Sequence, residues 1–223
     1  MTTRSDCVND SAAPAVPARW RRCIDEQAHG RSPALIDAWA PFLAALPSVR
    51  DFLEGRLRRL ELGREPDGSP SVLYLYTVAG DPNAFRGRAP VARVPERLRP
   101  VWPRIPGLLR DFYTGLHDGW TFLPANSMGP LPLADWAFLS DDRFDIDADT
   151  ARAMPIDIGA TVTVFHNGAG DYLCLDCGGN GSDEASGVIW WHEDPARPER
   201  VDFWGVLDAW IGIFLAEADR HDP

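Results

Sequence analysis

Lysine is missing from this chain: all 22 of its basic residues are arginine. A phosphate-binding loop of the GxxxxGK type is therefore excluded, and no GxSxG nucleophile elbow occurs either. Cysteine is sparse. Cys7, Cys23, Cys174 and Cys177 in 223 residues are too few for a disulfide scaffold. Long apolar runs are also lacking. The most hydrophobic stretch, Trp210 to Ala216, falls far short of the ~20 residues that a membrane-spanning helix needs. Residues 1–18 hold Asp6, Asn9, Asp10, Pro14 and Pro17 with no apolar secretory core, so a loose tail and a cytoplasmic protein are expected.

What is present is an ordinary globular composition, 45% hydrophobic and 25% charged, which excludes collagen-like, coiled-coil and wholly disordered chains. A chain of this length buries roughly 70% of its unfolded surface on folding, enough for a true core. Charge is the unusual property. Thirty-three acids leave a formal net charge of -11, and they are unevenly placed. Residues 1–110 carry 17 Arg against 12 Asp or Glu, whereas residues 111–223 carry 5 Arg against 21 acids. Such an acidic body repels phosphate backbones and anionic lipid, which argues against nucleic-acid and membrane partners and suits a basic protein. The same charge also keeps a protein soluble.

Apolar spacing predicts three helices first. Trp20, Cys23 and Ile24 share a stripe that stops at Gly30; Leu35, Ile36, Trp39, Phe42 and Leu43 share another that starts at Pro33. Pro47 restarts the pattern, and Phe52, Leu53, Leu57 and Leu60 continue it as a third helix. Val72 to Val78 reads as a buried strand, whereas six prolines between Gly80 and Pro106 argue against long regular elements there. Leu108, Leu109, Phe112 and Tyr113 form a further helical stripe before the Asp118-Gly119 turn.

Thr161 to His166 and Tyr172 to Asp176 alternate around Asn167-Gly168-Ala169-Gly170, which predicts a hairpin. With Phe165 opposite Tyr172, Val162, Val164, Leu173 and Leu175 face the core, and Thr161, Thr163, Phe165, Tyr172 and Cys174 face the other way. Gly178 to Gly187 reads as a flexible acidic loop. Val188 to His192 is a third strand, with Trp190 and Trp191 on opposite faces, so both faces of this sheet need apolar cover. Phe203, Leu207, Trp210, Ile211 and Phe214 make a closing helix that Asp202 can cap.

Chemistry-bearing patterns are weak. Cys174-Leu175-Asp176-Cys177 is a lone CxxC that, with His166 and His192, raises zinc as an alternative. In the expected register the two cysteines point to opposite faces, and His166 lies ~20 Å from Cys177 at ~3.3 Å per residue. They read as structural thiols, and no metal or other cofactor is expected. A redox CxxC should open a helix, whereas this one ends a strand. Ser127, Ser140, Ser182 and Ser186 have no nucleophile context. Glu193-Asp194 behind His192 could serve a carboxylate hydrolase, the enzymatic alternative. Trp20, Trp39, Trp204 and Trp210 lie on apolar stripes and read as core.

Three pieces in one order carry a family resemblance. They are Ile105-Pro106 through Phe112-Tyr113 to Asp118-Gly119-Trp120; Gly170-Asp171-Tyr172-Leu173-Cys174-Leu175-Asp176; and Gly187-Val188-Ile189-Trp190-Trp191-His192-Glu193-Asp194 followed by a helix from Phe203. Residues 101–218 thereby resemble the SUKH superfamily, which holds bacterial immunity proteins of polymorphic toxin systems and Smi/Knr-type fungal cell-wall regulators. The resemblance implies an α+β domain, a mostly antiparallel sheet flanked by helices, that binds rather than catalyses. Residues 19–100, with no counterpart in a minimal member, form a mainly helical extension with one strand, and residues 101–223 the SUKH-like domain. In bacterial members the implied partner is a cognate toxin, often one that acts on nucleic acid. Asp141, Asp142, Asp145, Asp147 and Asp149, with His192, Glu193 and Asp194, are the expected partner-facing residues, and no catalytic residue is expected. A cytoplasmic regulatory scaffold is a further alternative.

Overall fold

In the computed structural model, which describes residues 15–27, 32–123, 125–179 and 184–220, the N-terminal region is helical, as its apolar spacing predicts. The Gly30 stop and part of the 178–187 loop lie outside the described residues. Helix α1 (Ala18–Gln27) buries Trp20 and Cys23. Helix α2 (Pro33–Trp39) starts where Ser32 accepts a hydrogen bond from the Leu35 N–H and Pro33 takes the first turn. Helix α3 (Pro47–Gly55) starts differently. Its own cap, Leu46, offers no side-chain acceptor. Asp208 of the closing helix α6 (Phe203–Leu215) supplies one, accepting from the Ser48 N–H and the Ser48 hydroxyl at 2.9 Å each. One buried carboxylate thus joins the last helix to the third.

The third helix does not run on through Leu57 and Leu60. It ends at Gly55, and Leu60 enters strand β1 (Arg59–Arg64), where it pairs with Tyr74 of β2 (Pro70–Val78). The three-residue step from Leu57 to Leu60 mimics a helical period, but pairing with β2 decides the conformation. The proline-rich region also holds more regular structure than expected: β3 (Asp81–Arg88) runs antiparallel to β2. Pro82 is tolerated because it lies beyond the stretch, Ala84 to Gly87, that pairs on the other side with β4 (Trp120–Leu123).

Between them, helix α4 (Gly107–Asp111) passes into a π-helical turn, Phe112–Leu116. The order of the first sheet is β1-β2-β3-β4. After a short helix α5 (Ala148–Ala153), a second antiparallel sheet follows with order β5-β6-β7-β8, made of Thr161–His166, Tyr172–Asp176, Ser186–Trp190 and Glu199–Val201. The architecture is α+β with antiparallel sheets, the class that the resemblance implies.

Residues 127–139 join the sheets. On one side they accept hydrogen bonds from β4, Trp120 N–H to the Pro130 carbonyl and Phe122 N–H to the Ser127 carbonyl, each at 2.8 Å. On the other side they bond β5, through Leu131 N–H to the Val164 carbonyl at 2.8 Å and Thr163 N–H to the Ala137 carbonyl at 2.8 Å. Asp118-Gly119 sets the entry to this segment. Gly119 has φ +79°, and a Cβ there would come within 2.5 Å of Pro132 N, so both its conformation and its surroundings demand glycine. The apolar core is continuous from Trp20 to Ala218 and crosses residue 100 without a break.

The long helices lie on one face. Trp39 and Phe52 meet Tyr74 and Tyr76 edge-on, and α6 covers the second sheet. The hairpin forms as expected, with one correction. A bulge between Thr163 and Phe165 shifts the register, so Phe165 pairs with Leu173 rather than Tyr172. Phe165 therefore turns toward α6, where its ring lies 5.4 Å from that of Trp210. Trp20 and Trp39 are buried core residues, but Trp204 and Trp210 are only partly buried.

A polar chain runs through the first core. His117 Nδ1–H donates to the Arg88 carbonyl (3.1 Å), which leaves Nε2 as acceptor for the Tyr74 hydroxyl (2.7 Å). That hydroxyl in turn accepts from Trp39 Nε1–H at 3.1 Å. Every group is satisfied only while the imidazole is neutral. Burial accordingly holds the His117 pKa down at about 3. An unfolded histidine protonates near pH 6.5, so this group's contribution is complete above that pH. Below it, about 1.4 kcal/mol of stability is lost per pH unit down to about pH 3. Urea unfolding at pH 7 and pH 4.5 should show this loss, and His117→Phe should flatten the profile; an unchanged slope in the variant contradicts the assignment. Asp208→Ala, which uncaps α3, should cost about 1 to 3 kcal/mol in the same assay.

Candidate interaction surface

The outer face of the second sheet carries Cys174, Val188 and Trp190, and an apolar face of this kind must be covered. Residues 139–158 cover it. Leu139 and Met154 are buried against it, and Phe144, Ile146, Ile156 and Ile158 pack around them. The Phe144 ring stands edge-on to Tyr172 (5.3 Å) and Trp190 (5.4 Å). With its apolar residues turned inward, the segment turns its aspartates outward.

The five aspartates are not equivalent. Asp141 is half-buried, accepts from the Phe138 N–H at 3.2 Å and pairs with Arg97 at 2.5 Å. Asp147 caps α5, accepting from the Asp149 and Thr150 N–H groups at 2.8 and 2.7 Å, and these bonds hold its carboxyl below the usual range. Asp149 pairs with Arg152 at 2.5 Å in full exposure, where such a pair contributes little. Asp142 and Asp145 are exposed, and among the described residues their carboxylates have no hydrogen-bond or ion-pair partner. Asp145 sits in the left-handed region, φ 49°, at the end of a 3-10 turn (Asp142–Phe144). The backbone folds the run into a ring. Asp141, Asp142, Asp145 and Asp147 line one open pocket of about 300 Å³ with Ser140 and Ile146. Asp149 stands outside it.

His192, Glu193 and Asp194 follow β7 and are exposed. His192 Nδ1 lies 2.7 Å from Asp171 Oδ1, which also accepts the His192 backbone N–H at 3.2 Å. Asn167 Nδ2–H donates to the other oxygen of Asp171 at 2.9 Å. Two strand ends thus orient the imidazole and leave Nε2 outward, 4.0 Å from Glu193. Asp194 lies 3.9 Å from Arg197. His192 sits at the Tyr172 end of the hairpin, whereas Leu139 and Ser140 of the aspartate pocket bond the Thr161 and Ile158 carbonyls at its other end, and His192, Glu193 and Asp194 are not among the residues that line that pocket. Sequence reading missed Asp171, because its partner is 21 residues away across two strands.

It also missed a polar network on the first sheet. Arg86 and Arg88 alternate on β3 and share Glu65 Oε2 at 3.3 and 3.2 Å. Both also donate to Asn126 Oδ1, at 3.4 and 2.8 Å, while Asn126 Nδ2–H reaches Asp135. Two guanidinium charges are balanced by two carboxylates, and the network pins Asn126 in its left-handed conformation, φ 50°. The two strand cysteines are buried in different apolar clusters, Cys174 outside the sheet and Cys177 beneath it. Burial raises both thiols, Cys177 to about 12, so neither is a thiolate near neutral pH.

Among the described residues, no three His, Cys, Asp or Glu side chains converge as a metal site requires, and no helix is long and apolar enough to cross a membrane. Compared with known proteins, the chain matches no family model, no curated protein and no solved structure.

Proposed function

We propose that this protein is a non-catalytic binding protein, an immunity protein of the SUKH type that occludes a basic, nucleic-acid-targeting toxin in the cytoplasm. The observation that supports this most is the pocket ringed by Asp141, Asp142, Asp145 and Asp147. Among the described residues Asp142 and Asp145 have no internal partner to surrender, so a toxin's arginine or lysine gains their charge without breaking a bond there. The pocket is also pre-shaped. Its floor is fixed by Leu139 and Ile146 on the sheet, which lowers the ordering cost of association. At longer range the net charge of -11 steers a cationic groove toward this face, imitating the phosphates it normally holds. His192, held by Asp171, is a separate oriented hydrogen-bonding group at the turn end of the hairpin.

The test is binding to the product of the adjacent gene, read as association rate and affinity across a salt series. Asp142→Asn with Asp145→Asn should weaken binding about tenfold at low ionic strength, and the difference should shrink as salt screens it, while unfolding is unaltered. Asp147→Ala should behave differently, lowering the thermal midpoint because α5 loses its cap. Failure of that gene product to bind, or full affinity in the double variant, would remove the support for this reading.

A further inference from the structure

The turn between β5 and β6 is organised around the side chain of Asn167. Its Oδ1 accepts the Ala169 N–H at 2.8 Å and the Asp171 N–H at 3.2 Å, while Nδ2–H donates to Asp171 Oδ2 at 2.9 Å. Two N–H donors on one atom and a carboxylate on the other fix which atom is the oxygen. The bond to Ala169 is an Asx turn, which folds the carboxamide back over the next peptide nitrogen, that of Gly168. The Gly168 N–H in turn donates to His166 Nδ1 at 3.3 Å. Gly168 has no Cβ to shield its nitrogen, and Gly168, Ala169 and Gly170 are exposed to water.

We propose that Asn167 is a self-modification site, where the Gly168 nitrogen closes on the Asn167 carboxamide carbon to give a succinimide and, with water, aspartate or isoaspartate. The parts are those of an acyl transfer. His166 is the base: burial lowers its pKa, so Nδ1 accepts a proton near neutral pH, and the charged groups that act on it, Asp135 and Arg143, oppose each other. The Ala169 and Asp171 N–H groups already hold Oδ1, the atom on which negative charge develops. Nucleophile and carbonyl belong to adjacent residues, so no binding step precedes the attack. As the N–C bond forms, the Gly168 proton passes to His166. The C–Nδ2 bond then breaks, and a proton relayed from the imidazolium through solvent leaves with Nδ2 as ammonia. Water opens the ring, and nothing is oxidised or reduced. The product sets a carboxylate against Asp171 where a donor stood, so the change reaches the His192 imidazole that Asp171 orients.

Peptide mass mapping of the full chain, which reads ammonia loss and then exchange of NH2 for OH, tests the proposal. The chain's other Asn-Gly pair, Asn180-Gly181, outside the described residues, is the reference in the same sample. Asn167 should convert about tenfold or more faster in the folded chain than in the chain unfolded in urea. His166→Gln with an unchanged circular dichroism spectrum should remove that excess and leave the Asn180 rate as it was. Between about pH 7 and about pH 8.5 the folded rate should stay nearly flat, whereas the unfolded rate climbs with hydroxide. A folded chain that converts Asn167 no faster than the unfolded one overturns the proposal, as does a folded His166→Gln chain that keeps the native rate. If that variant does not fold, the unaltered chain decides: a native rate that rises in step with hydroxide also overturns it.

Discussion

The structure depends on one stretch of backbone that is hydrogen-bonded on both edges. Residues 127–139 take bonds from β4 on one side and exchange bonds with β5 on the other, so two four-stranded sheets behave as one twisted surface. Without it, Trp120 N–H, Phe122 N–H and the inner edge of β5 would be unpaired at the centre of the molecule, a large cost in a buried region. With it, all the long helices can share a single face. Asp208 binding Ser48 then locks the last helix to the third across the seam.

Placing the long helices on one side leaves the opposite side to short, irregular segments. Over the first sheet the polar network of Arg86, Arg88, Glu65 and Asn126 takes that place. Over the second sheet it is the 139–158 cover, whose inward residues are Leu, Phe, Ile and Met and whose exposed residues include five aspartates and two arginines. The pocket lined by four aspartates therefore follows from packing. An irregular chain held down at Leu139, Phe144 and Ile146 must bulge between its anchors, and the acids collect around the bulge. The buried groups are tuned the other way. His117, Cys174 and Cys177 are all held in their neutral forms by burial, and the buried carboxylates Asp176 and Asp208 are each hydrogen-bonded, to Arg200 and to Ser48.

Much of this was legible from residue order. Ser32-Pro33 marks a helix start, Asp202 a cap, and Asn167 to Gly170 a hairpin turn, because each depends on neighbours within a few residues. The two apolar faces of the second sheet were legible in the tandem tryptophans 190 and 191. Strands β1, β3 and β4 were not. Leu57 and Leu60 imitate a helical step, Pro82 imitates a breaker, and Trp120 to Leu123 is too short to show a period, so all three become strands only through partners supplied by β2 and each other.

Composition and local pattern by themselves determined the Asp202 cap, the hairpin, the acidic second half and the absence of a lysine-based site. Only the tertiary structure decided which aspartates are spent and which are free. It set Asp141 against Arg97, put Asp147 on a helix end, and left Asp142 and Asp145 open to solvent. It likewise brought Asp171 to His192 and turned Phe165 inward through a bulge. The reason is range. Caps, turns and periodicity are written within a few residues, whereas the partner of a carboxylate or the register of a strand is chosen by groups that only the folded chain brings together.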